Sequence, residues 1–93
     1  MEYDYSNSKY GVDYSELPED LADVFYRYIE HRIPTGGFLE AVLSNDLATS
    51  LGRADCRNQL RLHSIVKWIY NEAPATCWGS EAKVKSWLEE RDI

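Results

Sequence analysis

Cys56, Cys77, His31 and His63 are the residues of this 93-residue chain best suited to hold a metal or to attack a substrate. Structural zinc sites bring ligands together in close pairs, as in C-x₂₋₄-C or H-x₃₋₅-H. Here the cysteines stand 21 positions apart and the histidines 32. No local clasp forms, and neither a metal nor a cofactor is expected. A nucleophilic thiol needs a depressed pKa and a base within hydrogen-bond reach. Cys56 has Arg53 and Arg57 nearby and His63 seven residues on; along one helix that is about 10 Å of rise. The two side chains do not meet. Both cysteines read as small packing residues, and the chain reads as a non-enzyme.

A second chemistry is anion binding. Thr35-Gly36-Gly37 precedes Phe38-Leu39, and the bare N–H groups of a helix start can hold a phosphate or carboxylate. The G-x-x-x-x-G-K-[ST] loop is absent, as is the strand that precedes a dinucleotide turn. A tight chain reversal accounts for the same glycines. Arg53, Arg57 and Arg61 recur at i, i+4 and i+8, which on one helix lines up three guanidinium groups able to grip carboxylates or phosphates. With Thr35, Gly36 and Gly37 they form a candidate site for a nucleotide or small anion. The stripe could equally hold acids of this chain or of a neighbouring copy, or simply face solvent.

The strongest compositional signal is charge. The net charge is −6 with a pI near 4.8, and all of it falls in residues 1–30, where eight acids face only Lys9 and Arg27. Nucleic-acid binding relies on cations that release phosphate counterions, and anionic membranes attract basic segments. Neither partner suits this chain directly. A basic groove on another protein does. Tyrosines are interleaved with the acids, and tyrosine brings rigid area with a polar tip to interfaces. Tyr3, Asp4, Tyr5, Tyr10, Asp13, Tyr14, Glu16, Glu19, Asp20 and Asp23 are therefore the candidate partner-binding residues. Carboxylates there can stand in locally for the phosphates of a nucleic acid.

The elements that carry these residues follow from periodicity and punctuation. Residues 1–15 lack any helical apolar period and read as an extended acidic arm, either packed along the domain or mobile when free; residues 16–93 read as one helical domain. Pro18 opens a helix over 18–32, with Leu21, Val24, Phe25, Tyr28 and Ile29 as its apolar stripe. Ile33-Pro34 ends it. Thr35 is expected to cap a second helix, inward at Leu39, Val42, Leu43 and Leu47, interrupted at Ser44-Asn45-Asp46 and stopped by Gly52. A third helix runs over 54–72 with Asp55 as cap; Leu62, Ile65, Val66 and Ile69 face the core, and Leu60, Trp68 and Tyr70 widen that face. Ser80 caps a last helix over 81–91. No strand alternation appears. The expected fold is all-α, four main helices around one core.

The longest charge-free run, Ala73–Ser80, has eight residues against about 20 needed to span a bilayer. The opening MEYDYSNSKYGVDY has neither the basic start nor the apolar centre of a secretion signal. A reducing cytoplasm is expected.

Two blocks, Tyr28–Leu47 (YIEHRIPTGGFLEAVLSNDL) and Trp68–Pro74 with Cys77–Ser80 (WIYNEAP and CWGS), resemble a group of small proteins encoded by bacteriophages and prophages. The likeness covers roughly residues 17–88 and leaves the arm outside. It implies a bacterial cytoplasm as the setting and carries no catalytic residue. By analogy with small acidic phage proteins, it implies binding to a host protein, with antiviral defence components such as CRISPR effectors among the candidates. Self-association stays open.

Overall fold

A computed structural model describes residues 5–90, and among these the fold is all-helical. Five helices follow in chain order: α1 (Glu19–His31), α2 (Gly37–Leu43), α3 (Leu47–Arg53), α4 (Cys56–Glu72) and α5 (Glu81–Glu89). The interruption expected at Ser44-Asn45-Asp46 is a full break, so the second helix of the sequence reading is two. Asn45 takes a left-handed φ of 62°, which breaks the run, and the Asp46 side chain then accepts from the Thr49 N–H at 3.2 Å to start α3. Gly52 lies inside α3 and does not stop it; the chain turns extended at Ala54. Thr35 does not cap α2, whose N-cap is Gly36. The caps at α4 and α5 form as read: Asp55 accepts from Asn58 N–H at 2.8 Å and Ser80 from Lys83 N–H at 3.1 Å.

Helix α1 is the centre of the molecule because it is buried on two sides. Leu21, Phe25, Tyr28 and Ile29 form the expected stripe, and with Leu43, Ile65, Trp68, Ile69, Cys77, Val84 and Trp87 they belong to the core. A second stripe, Ala22, Tyr26 and Glu30 at i, i+4 and i+8, is covered as well. Its cover comes from the arm. Val12 and Tyr14 are core residues, and the Tyr14 ring lies 5.4 Å from Tyr26 and 5.6 Å from Trp68. Earlier residues pack along the helix as well: the Tyr5 ring lies 5.3 Å from Tyr26, and Ser8 and Lys9 donate to Glu30.

The far end of α1 closes around Arg32. It adopts φ 60°, ψ 39°, with its N–H bonded to the Tyr28 carbonyl and the Ile33 N–H to the Arg27 carbonyl, so the last turn is satisfied ahead of Pro34. A non-glycine residue there is strained by about 1–3 kcal/mol. The side chain compensates. Its guanidinium carbon stacks 3.4 Å from the Trp87 ring centroid, and its nitrogens donate to the Trp87 carbonyl and the Tyr10 hydroxyl, each at 2.9 Å. That contact ties arm, α1 and α5 together.

Candidate acidic cleft

Tyr5, Glu19, Asp20 and Asp23 come together around one open cleft of about 930 Å³, where the arm meets the start of α1. Leu17 and Pro18 form its apolar wall, Ala22 and Tyr14 its base, and Arg57 closes the α4 side. The position of the acids follows from the helix start, since Glu19 and Asp20 lie in the first turn, where carboxylates complement the dipole.

The cleft is less anionic than a count of acids implies. Asp20 receives Arg61 through two contacts, at 2.7 and 3.3 Å, and Arg57 at 3.4 Å. The Arg61 hydrogen bond, with the two guanidinium charges, holds the Asp20 carboxyl below its ordinary pKa against a smaller opposing effect of burial. Asp23 pairs with Arg27 at 2.9 Å. Glu16 and Glu19 are exposed and, among the described residues, have no ion-pair partner. Asp13 is exposed too, but its carboxylate is turned to the N–H and hydroxyl of Ser15, which lower its pKa.

Two candidate contact residues stand apart from the exposed acids of the cleft. Tyr14 is 1% exposed, and its hydroxyl donates to Glu30 at 2.8 Å. It lines the cleft from within and offers a partner little surface. Tyr10 sits at the opposite end of α1, against Arg32 and Trp87. Tyr3 and Asp4 lie outside the described residues.

The candidate anion site divides in the same way. Arg53 ends α3 while Arg57 and Arg61 stand on α4, so the three do not share a helical face. Arg53 reaches back to the Gly37 carbonyl at 3.3 Å and packs where a side chain on Gly37 would stand. The Thr35 hydroxyl turns to the Gly36 carbonyl. Thr35, Gly36, Gly37 and Arg53 are therefore neighbours at a closed chain reversal, whereas Arg57 and Arg61 hold Asp20. Among the described residues no group of three or more His, Cys, Asp or Glu is placed to hold a metal. Cys77 is buried and its thiol is pushed up to about 12 by desolvation.

One surface escaped the sequence reading. Periodicity turns Leu47 and Val66 inward and lets Leu60 and Tyr70 widen the face of α4, yet all four are exposed, together with Leu51. Leu47 and Val66 flank a hollow between α3 and α4, and Trp78, whose loop position gave no direction, sits half-buried there with its ring 6.3 Å from Tyr70. A stripe of apolar residues wider than the core needs was the available signal.

No helix of the described residues is long and apolar enough to cross a membrane. No protein-family model, curated protein or solved structure matches the chain.

Proposed function

We propose that this chain is a non-enzymatic, phage-encoded binding protein whose acidic cleft receives cationic side chains of a host protein, and that the host protein is a nucleic-acid-handling component of antiviral defence, such as a CRISPR effector. The observation that carries the reading is the cleft itself. An aromatic ring (Tyr5), an apolar wall (Leu17, Pro18) and the carboxylates of Glu19, Asp20 and Asp23 surround a hollow with room for several side chains. An arginine entering it can place its guanidinium face on the ring and its N–H fork on a carboxylate. Proteins that handle nucleic acid present such arginines and lysines in clusters. Local imitation of phosphates by the carboxylates then blocks the partner's own ligand.

The test is capture of host proteins from a bacterial lysate by the full chain and by a Glu16→Lys, Glu19→Lys, Asp23→Lys variant, at low and high salt. Glu19 and Asp23 line the cleft and Glu16 stands exposed just ahead of it, none of them in the core, so the fold should survive, which circular dichroism checks. The reading requires capture of a basic nucleic-acid-handling protein at low salt, its loss at high salt, and its loss with the variant. Equal capture by both proteins would overturn it.

A further inference from the structure

A second hollow lies on the other side of the wall that bounds the acidic cleft. Leu17 and Pro18 line both, and the Asp20–Arg61 pair stands between them, with Asp20 in the cleft and Arg61 in the second hollow. This groove holds about 420 Å³, within the range of roughly 300–1,000 Å³ typical of ligand sites. Arg61, Ser64, Ile65, Trp68 and Glu72 recur at i, i+3, i+4, i+7 and i+11 along one face of α4, which is about 16 Å of helix. Leu17, Pro18 and Leu21 face them from the turn into α1.

Both ends of the groove are pinned. At one, the Trp68 indole donates to the Asp13 carbonyl at 3.0 Å and the Asp13 N–H to Glu72 at 3.2 Å. At the other, Arg61 donates to Asn58 at 2.9 Å and to Asp20 at 2.7 Å. The turn between them is closed by the Leu17 N–H on the Tyr14 carbonyl at 3.2 Å. A site formed in advance spares its occupant the cost of ordering it. The indole N–H is already satisfied, and Leu21, Ile65 and Trp68 leave an apolar floor.

Charge selects what crosses the wall and what enters the groove. Glu16 on this side and Glu19 on the cleft side are exposed and have no ion pair among the described residues, so the wall is flanked by free carboxylates. A cationic segment is favoured across it. Inside the groove the balance differs. Arg61 is occupied by Asp20, and Lys67 at the rim, without an ion pair among the described residues, repels a further cation. A charge on the apolar floor also pays its desolvation, whereas a large apolar side chain gains there. We propose that the partner segment whose cations enter the acidic cleft carries, within a few residues of them, a large apolar side chain that fills this groove. The inference rests on the cleft reading and adds the second half of the recognised motif. The wall is only Leu17 and Pro18 wide, and each partner residue reaches about 3.5 Å, so a short extended stretch spans it.

Blocked peptides test it by amide NMR on the isotopically labelled full chain at low salt. Each carries two arginines and, up to three glycines away in either order, a tryptophan or an alanine. At one spacing at least, the tryptophan peptide should bind about fivefold tighter or better than its alanine twin. It should shift Leu21, Ser64, Lys67 and Asn71 in addition to the cleft residues. Ser64→Phe, at an exposed position that lines the groove, should remove that gain and leave the affinity of the alanine peptide unchanged; circular dichroism checks its fold. Equal binding of tryptophan and alanine peptides at every spacing, with shifts confined to the cleft, would overturn the groove and leave the cleft reading intact. No binding of either peptide would overturn both. A tryptophan gain that survives Ser64→Phe, or shifts centred on the α3–α4 face, would place the apolar residue elsewhere and overturn the proposal as well.

Discussion

Tyr14 donates its hydroxyl to the buried carboxylate of Glu30 at 2.8 Å, and this bond joins the N-terminal segment to the back of α1. Glu30 also accepts from the Lys9 N–H at 2.8 Å and from the Ser8 hydroxyl. Three donors from one segment meet one carboxylate, which is 4% exposed and has no ion pair among the described residues. Burial and the neighbouring Glu30 raise the Tyr14 pKa, so the phenol stays a donor. A hydrogen bond to a charged group contributes about 1.5–3 kcal/mol. Tyr14→Phe should destabilise by that amount and Tyr14→Ala by about 3–5 kcal/mol through the cavity left in the aromatic cluster. Urea unfolding gives both values, and equal stability of the three proteins would contradict the arrangement.

Deleting residues 1–15 should therefore damage the whole fold. It removes Val12 and Tyr14 from the core and strips Ala22, Tyr26 and Glu30 of their cover. For a domain of this size each 1 kcal/mol shifts Tm by about 4–8 °C, so the expected fall exceeds about 15 °C. A deletion variant that melts within a few degrees of the full chain would show the segment to be dispensable.

Arg32 offers a separate test of strain against contact. Arg32→Ala loses the Trp87 stack and two hydrogen bonds while keeping the left-handed backbone. Arg32→Gly loses the same contacts without the backbone penalty, because glycine visits that region freely. Both should destabilise, the alanine variant by about 1 kcal/mol more. Chemical denaturation distinguishes them; glycine being the less stable would contradict this reading of the backbone.

Asp20 sets part of the acid limb of stability. Its folded pKa is depressed by Arg61 and then Arg57. The unfolded value is about 3.9, so the contribution is fully present above that pH and is lost as pH falls through the folded value. The carboxylate is half exposed, which limits the effect at neutral pH to about 0.5–1 kcal/mol. Asp20→Asn should cost that much at pH 7 and flatten the loss of stability below about pH 4. A variant with an unchanged acid limb would contradict the pairing.

The two thiols should behave differently. Cys56 is exposed, whereas Cys77 is fully buried with its pKa pushed up to about 12. A thiol reagent at neutral pH should modify one cysteine in the native protein and two in denaturant, since the thiolate is the reacting form. Two fast-reacting thiols in the native state would contradict the burial of Cys77.

The sequence reveals those parts of the fold whose causes are local. Asp55 and Ser80 announce helix starts because a cap needs only its own side chain and an N–H three residues on. The stripe of α1 is legible from spacing. The second stripe, Ala22-Tyr26-Glu30, is present in the sequence but reads as surface, because its cover comes from a segment without a period. Leu60 and Tyr70 fail for a different reason. At 3.6 residues per turn Leu60 lies on the side of α4 away from Ile65 and Ile69, so widening the apolar stripe to include it overruns the face that the core covers. At the cleft, the acids of the α1 start are legible from charge. The pairing of Asp20 with Arg57 and Arg61 is not, because those partners lie 37 and 41 positions away.

Titration of the isotopically labelled chain with a short arginine-rich peptide at low salt, followed by amide NMR, tests the acidic cleft most directly. The cleft account predicts salt-sensitive shifts concentrated at Tyr5, Leu17, Glu19, Asp20, Asp23 and Arg57, abolished by Glu19→Lys with Asp23→Lys. Shifts scattered over the surface, or centred on the α3–α4 face with the cleft silent, would contradict it.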